Sequence, residues 1–226
     1  MKTVFRKEIK YVITKVEFLR IQKHLDVLME KDRNGYNGTY MVRSQYYDSL
    51  NNHDLYDNLD GVMEKRKIRV RIYSTDTKHA KLEYKCKSNM DGKKYSLSIT
   101  RDEALMMEAH KYDFLLAREE DIAKRIYVKM VQGGYTPKTI VEYDRTAYLY
   151  PASDVRITFD TSVKATKNPY GLFSEELSYV PLIKGDAGIL EIKYNDFVPY
   201  SLKQIVQYID NLAESFSKYS KARIYI

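Results

Sequence analysis

One cysteine (Cys86), no tryptophan, four histidines, five prolines and nine glycines occur in 226 residues. A lone thiol excludes an internal disulfide framework and a cysteine-ligated zinc site. His24, His53, His79 and His110 share no spacing, so a histidine metal centre is not expected. No apolar run is long enough for a signal peptide or a membrane-spanning helix, and the expectation is a soluble, cytoplasmic protein. There is no Pro/Gly/Ser-rich linker, low-complexity tract or sequence repeat, which favours a single domain over 1–226.

Tyrosine and positive charge are plentiful. The 22 tyrosines bias the chain toward β-structure. With 38 Lys and Arg against 31 Asp and Glu the net charge is +7, a balance that favours phosphate-bearing partners without naming one.

That charge is arranged at period two. In RKIRVRIY, Lys67, Arg69 and Arg71 fall on one face of an extended strand and Ile68, Val70 and Ile72 on the other. LEYKCK repeats the pattern, with Glu83, Lys85 and Lys87 set against Leu82, Tyr84 and Cys86. The same alternation runs through Arg6, Glu8 and Lys10, through Arg156, Thr158 and Asp160, and through Glu191 and Lys193. Lys94, Ser96 and Ser98 share a face in KKYSLSIT. A single such strand is ordinarily half of a hairpin with a solvated face. Five of them suggest strands closing into a barrel whose lumen is lined by cations, with Lys10, Arg69, Arg71, Lys85, Arg145, Arg156, Glu191 and Lys193 pointing inward, a tunnel suited to a polyanion. Mutual repulsion there predicts that removing Arg69 and Arg71 together stabilises the anion-free protein.

Helices fill the remainder. Thr14 and Glu17 form a capping box opening a helix whose expected apolar stripe is Val16, Leu19, Ile21, Leu25, Val27 and Leu28. Asp60-Gly61 and Asp91-Gly92 read as turns. A helical middle runs from Arg101 to about Gln132, with Ala104, Leu105, Phe114, Leu115, Ile122, Ile126 and Val128 as the expected buried set, until Gly133-Gly134 stops it. After three further strands, Pro199 opens an expected last helix over SLKQIVQYIDNLAES with Leu202, Ile205, Val206, Ile209 and Leu212 inward. Met106-Met107 and Cys86 read as packing residues. The fold class expected is α+β, an antiparallel β-barrel tunnel with flanking helices.

EIKY (Glu8–Tyr11), SQYYDS (Ser44–Ser49), LYDNLDG (Leu55–Gly61), KIRVRIY, LEYKCK, YDRTAY (Tyr143–Tyr148), VRITFDT (Val155–Thr161), LEIKY (Leu190–Tyr194) and SFSKY (Ser215–Tyr219) occur together and in order. Over nearly the whole chain this set resembles the catalytic domain of the vacuolar transporter chaperone (VTC) polyphosphate polymerases in their short bacterial form, which belong with the CYTH-like triphosphate tunnel metalloenzymes. The resemblance implies phosphoryl transfer from ATP onto a growing polyphosphate chain. It assigns catalytic roles to Lys10, Arg69, Arg71, Lys85, Arg145, Arg156 and Lys218. Substrate contacts fall to Lys67, Lys87, Lys94, Lys193 and Ser217, and Mn2+ or Mg2+ to Glu191 and Glu8. ATP and inorganic polyphosphate or triphosphate are the implied ligands, with no nucleic acid and no membrane span, and a membrane protein for polyphosphate export is the implied partner. Asn58 departs from the pattern, standing where relatives often carry a basic residue.

The residue types suit that chemistry. Arg forks grip non-bridging phosphate oxygens in pairs, Lys supplies point charges, and together they neutralise a triphosphate that would otherwise repel a phosphate nucleophile. Two other readings stay open, an inorganic or nucleoside triphosphatase in which water is the acceptor, and a non-catalytic polyphosphate-binding module. Glu8, Glu83 and Glu191 can equally be cross-strand ion-pair partners of the cations beside them.

Overall fold

In the computed structural model residues 7–88, 91–195 and 197–226 are described. Arg6, which the alternation adds to the first strand, and the Val206 side chain lie outside them. The elements are β1 (Lys7–Ile13), α1 (Lys15–Leu28), β2 (Glu30–Lys31), β3 (Thr39–Asp48), α2 (His53–Leu59), β4 (Lys65–Ile72), β5 (His79–Ser88) and β6 (Asp91–Thr100). They continue with α3 (Arg101–Glu108), α4 (Asp121–Gln132), β7 (Thr136–Leu149), β8 (Arg156–Thr166), β9 (Val180–Pro181), β10 (Gly188–Tyr194), α5 (Tyr200–Lys203) and α6 (Lys218–Tyr225). This is an α+β fold on a mainly antiparallel sheet of order β1-β10-β8-β7-β3-β4-β5-β6, with β2 on β7 and β9 on β8. Among the described residues no pairing joins β1 to β6. No helix among them is long and apolar enough to cross a membrane. The chain divides into two compact units.

The first unit comprises Met1–Met41, Glu142–Lys164 and Pro181–Ser217. Lys10 lies opposite Glu191, and Glu191 opposite Thr158, while Lys193 pairs with both Glu8 and Arg156. Cross-strand partners share a face, so these polar residues form one side. Ile9, Ile192 and Ile157, with Tyr11, Leu190 and Phe159, form the other. The apolar side packs with Ile21 and Leu25 of α1, Leu202 of α5 and Ile205.

The capping box is present: Glu17 N donates to Thr14 Oγ1 at 3.3 Å and Thr14 N to Glu17 Oε2 at 2.5 Å. From that turn, helical spacing carries Phe18, Ile21 and Leu25 inward and leaves Val16, Leu19, Val27 and Leu28 outside, correcting the broader stripe expected. The last helix is also shorter than its pattern suggests, ending at Lys203 with one 3-10 stretch over Gln204–Tyr208. The following donors go elsewhere: Asp210 N to Glu17 Oε1, Asn211 Nδ2 to Val12 O and Glu214 N to Lys10 O. Tertiary hydrogen bonds override helix propensity there, and Leu212 is 89% exposed.

The second unit comprises Val42–Val141, Ala165–Val180 and Lys218–Ile226. In its register Ser44, Arg71, Lys81 and Ser98 form one cross-strand row. Tyr46, Arg69, Glu83 and Ser96 form the next, followed by Lys67, Lys85 and Lys94. Behind them Val70, Leu82 and Leu97 are buried with Ile68 and Tyr47 against α3 and α4. Of the expected helical set Ala104, Leu115 and Ile126 are buried and Phe114 and Ile122 partly so, but Leu105 and Val128 are exposed; Met107, Ala123 and Met130 take the inward positions instead. Cys86 packs, partly buried, against the same core. Asp91 and Gly92, expected as a turn, pair with Ser88 and Lys87. The stretch after Ser217, which carries no helical pattern strong enough to expect an element, folds as α6.

Asp48, fully buried, closes the end of β3 onto α2: Oδ1 accepts from Ser49 N and Asp54 N, and Oδ2 from Leu55 N and the Tyr219 hydroxyl. Next to it Asp54 accepts one hydrogen bond, 2.9 Å from the Tyr135 hydroxyl, and its Oδ1 has no partner. Burial and the charge of Asp48 raise its pKa from 3.8 to about 6. A folded-state pKa above the unfolded one means that ionisation opposes folding at neutral pH and that this cost disappears below about pH 4. Asp54→Asn, which keeps an acceptor for Tyr135, is therefore expected to raise stability by about 1–2 kcal/mol at neutral pH and by little at about pH 4, read by urea unfolding at both. Equal effects at the two values would show that Asp54 carries no ionisation cost.

Candidate functional site

Each unit places a buried carboxylate among cations on the polar side of its strands. In the second unit that carboxylate is Glu83, 3% exposed. It meets Arg69 Nε at 2.6 Å, Lys94 Nζ at 2.5 Å and Arg71 Nη1 at 3.6 Å. Burial alone would raise its pKa, but Arg69, Arg71 and Lys94 together bring it down to about 2. The arginines are oriented from the next strand, Arg69 Nη1 donating to the Tyr46 hydroxyl at 3.0 Å and Arg71 Nε to Ser44 Oγ at 3.3 Å. Lys67, half-buried, and Lys85, exposed, lie in register with Lys94, and exposed Lys87 is one row further along. Among these paired, described positions Glu83 is the sole acid facing eight Lys and Arg: Lys65, Lys67, Arg69, Arg71, Lys81, Lys85, Lys87 and Lys94. Like charges opposite one another in a sheet disfavour folding, and a bound anion relieves that.

In the first unit the carboxylates are Glu191, 6% exposed, and Glu8. Lys10 Nζ is 2.6 Å from Glu8 and 3.6 Å from Glu191, and donates to Phe216 O at 3.4 Å. Lys193 Nζ lies 2.8 Å from Glu191, and Arg145 Nη2 4.0 Å. Burial opposes the charge on Lys10, yet Glu8 and Glu191 hold its pKa above the usual value. Burial likewise works against ionised Glu8, and its contacts with Glu191, Lys10 and Lys193 more than reverse that, leaving its pKa well below the usual carboxylate range. Arg145 is aimed by a bidentate pair to fully buried Asp160, at 2.7 and 2.8 Å, and lies 5.2 Å over the Tyr143 ring.

The site residues expected from sequence thus fall into two groups. Lys10, Arg145, Glu8, Glu191 and Lys193 converge in the first unit. Arg69, Arg71 and Lys94 converge in the second, with Lys67, Lys85 and Lys87 on the same strand face. Arg156 stands apart: its guanidinium turns to Asp32 at 3.0 Å and the Tyr40 hydroxyl at 3.2 Å. Ser217, half-buried, closes the first unit's chain, and half-buried Lys218 begins α6 in the second. Asn58 lies in α2. Three supporting residues carry no signal in the sequence that assigns them a role: Tyr46, Ser44 and Tyr219. Asp160 belongs to the Arg156, Thr158 alternation, but its part in aiming Arg145 shows only in the fold. Glu83 and Glu191 pair across strands with Arg69 and Lys10, whereas Glu8 pairs with Lys10 along its own strand.

The geometry also revises the expectation for Arg69 and Arg71. Removing both would strip Glu83 of two of its three partners, so destabilisation, not relief, is expected. Glu83→Gln makes the complementary case, leaving two arginines and Lys94 without their acid. A stability loss of about 3 kcal/mol is expected at neutral pH and low salt, recovered in large part by added phosphate and shrinking as the parent is acidified toward about pH 2. The sign follows from a depressed carboxylate pKa, whose stabilisation is present above about 4.5 and lost as pH falls. Thermal unfolding with and without phosphate reads it; an anion-insensitive variant would contradict the arrangement.

Compared with solved structures, the chain is similar in fold to a candidate adenylate cyclase from Bacillus halodurans, at 10% identity and a TM-score of 0.56, covering 96% of this chain and 94% of that one. A second candidate adenylate cyclase, from Vibrio parahaemolyticus, matches at 11% identity with a TM-score of 0.51 over 97% and 98% of the two chains. No curated protein matches the chain significantly. Among protein families the VTC domain matches residues 5–225, almost the full length. The chain belongs to the VTC domain family.

Proposed function

We propose that the protein is a polyphosphate polymerase that moves the terminal phosphate of ATP onto a growing polyphosphate chain. The observation that carries this reading is the VTC domain match over residues 5–225, borne by strands that present cations at every second position. In the transfer, an oxygen of the chain's terminal phosphate attacks the γ-phosphorus of ATP, a new P–O–P link forms, the bond to the β-phosphate breaks, and ADP leaves. No side-chain nucleophile is needed, so the protein's work is positioning and charge neutralisation. Arg69, Arg71, Lys85, Lys94 and Lys218 hold phosphate oxygens in the second unit, and Lys10 and Arg145 do so in the first, joined by Arg156 once its guanidinium leaves Asp32; Lys67, Lys87, Lys193 and Ser217 add further contacts. ATP supply places the reaction in the cytoplasm, and export of product would fall to a membrane protein.

The residues fit a hard divalent ion, Mn2+ or Mg2+. Glu8 and Glu191 already converge on one positive charge, the Lys10 ammonium. No group of three His, Cys, Asp or Glu ligands occurs among the described residues. That suits an ion held by one or two carboxylates and otherwise by phosphate oxygens and water. Such an ion would supply charge stabilisation for the leaving phosphate.

Incubation with ATP and manganese, with the product sized on a gel, is expected to yield long polyphosphate. Orthophosphate alone would make the protein a triphosphatase, and binding without turnover would make it a capture module. Glu191→Gln is expected to lower metal-dependent turnover by roughly 10²-fold while leaving metal-free triphosphate binding equal or tighter. Near-parental turnover would reduce Glu191 to an ion-pair residue.

A further inference from the structure

The second unit has a pocket of about 240 Å³ whose lining shares no residue with the Glu83 cluster. Its polar lining is Lys138 and Thr139 of β7, Thr166 at the end of β8, the adjoining Lys167, and Arg223 of α6. None of the three cations forms an ion pair among the described residues. Arg223 is held by neutral oxygens, Nη1 3.1 Å from the Tyr219 hydroxyl and Nη2 3.1 Å from Asn52 Oδ1. Those contacts aim the guanidinium without neutralising it. Asp48, the carboxylate that Lys138 senses, is engaged by three backbone N–H groups and the Tyr219 hydroxyl. Lys138 accordingly has its pKa lowered, first by burial and then by Arg223. Thr139 donates to Thr166 O at 3.0 Å, and Thr166 Oγ1 accepts from Asn168 N at 3.1 Å, so the Thr166 hydroxyl proton remains a donor.

Three uncompensated cations from separate segments and a spare hydroxyl around one small pocket match a tetrahedral oxyanion, whose oxygens take charge-assisted hydrogen bonds from an Arg fork and from ammonium groups together. We propose that this pocket binds a phosphate group, either free orthophosphate or the end group of an oligophosphate, as a site separate from the Glu83 cluster. The two share no residue. Phosphate chemistry alone supports the assignment, and it stands whether or not the chain polymerises phosphate.

Equilibrium dialysis of the full chain at low ionic strength, with labelled orthophosphate and separately with tripolyphosphate, tests it. Lys138→Gln with Lys167→Gln leaves the Asp48–Tyr219–Arg223 contacts intact, and circular dichroism checks that the fold is kept. This double variant is expected to lose one bound equivalent, or to bind it at least roughly tenfold more weakly. Added to Lys85→Gln with Lys87→Gln, which weaken the Glu83 face, the same pair is expected to remove its equivalent over and above what those two remove. Binding of orthophosphate identifies the free ion as sufficient, and binding of tripolyphosphate alone identifies an oligophosphate end. An unchanged isotherm in the Lys138/Lys167 variant, no further loss when its substitutions are added to Lys85→Gln and Lys87→Gln, or no binding of either anion by the parent overturns the proposal.

Discussion

Repulsion between cations placed two residues apart is the constraint the rest of the architecture answers. A strand that alternates Lys or Arg with Ile, Val or Leu can bury its apolar side cheaply, but its other side gathers charge that neighbouring strands only add to. In each unit a nearly buried glutamate absorbs part of that charge, Glu83 meeting three cations and Glu191 meeting Lys10, Lys193 and, at longer range, Arg145. Taking those acids out of water is costly, and only several simultaneous partners make their ionised form favourable there. Asp160 serves Arg145 in the same manner. On the function proposed above, the remaining surplus of positive charge is what a polyanion would meet.

Much of this was legible in the amino-acid order because a strand's two faces are written directly at period two. The opposition of Lys67, Arg69 and Arg71 to Ile68, Val70 and Ile72, and of Lys10 to Ile9 and Tyr11, needs no knowledge of neighbours. Helix faces were read less well. Thr14 and Glu17 announce α1, yet Val16, Leu19 and Val27 do not face inward, because hydrophobicity alone does not fix a helix's rotation; the packing of Phe18, Ile21 and Leu25 sets the face, and Glu17 also accepts from Asp210 N, 193 residues away. The same long-range bonding removed the back half of the expected last helix.

Supporting contacts were the least legible. Sequence placed SQYYDS and SFSKY among the family motifs but could not say that they meet. In the fold the Tyr219 hydroxyl donates to Asp48, and its ring stacks on Tyr46 at 5.2 Å, while Tyr46 in turn receives Arg69. Which carboxylate holds which arginine is likewise a property of register: nothing local to Arg156 predicts that it turns to Asp32 and Tyr40 while its row neighbour Lys193 turns to Glu191.

The central claim is that surplus cation density on these strands exists to hold a chain of phosphates. Calorimetric titration of the metal-free protein with tripolyphosphate across a series of salt concentrations tests it most directly. The account predicts binding at low salt that weakens steadily as salt rises, accompanied by a higher unfolding temperature. Absence of binding at low salt, or an affinity indifferent to salt, would contradict it.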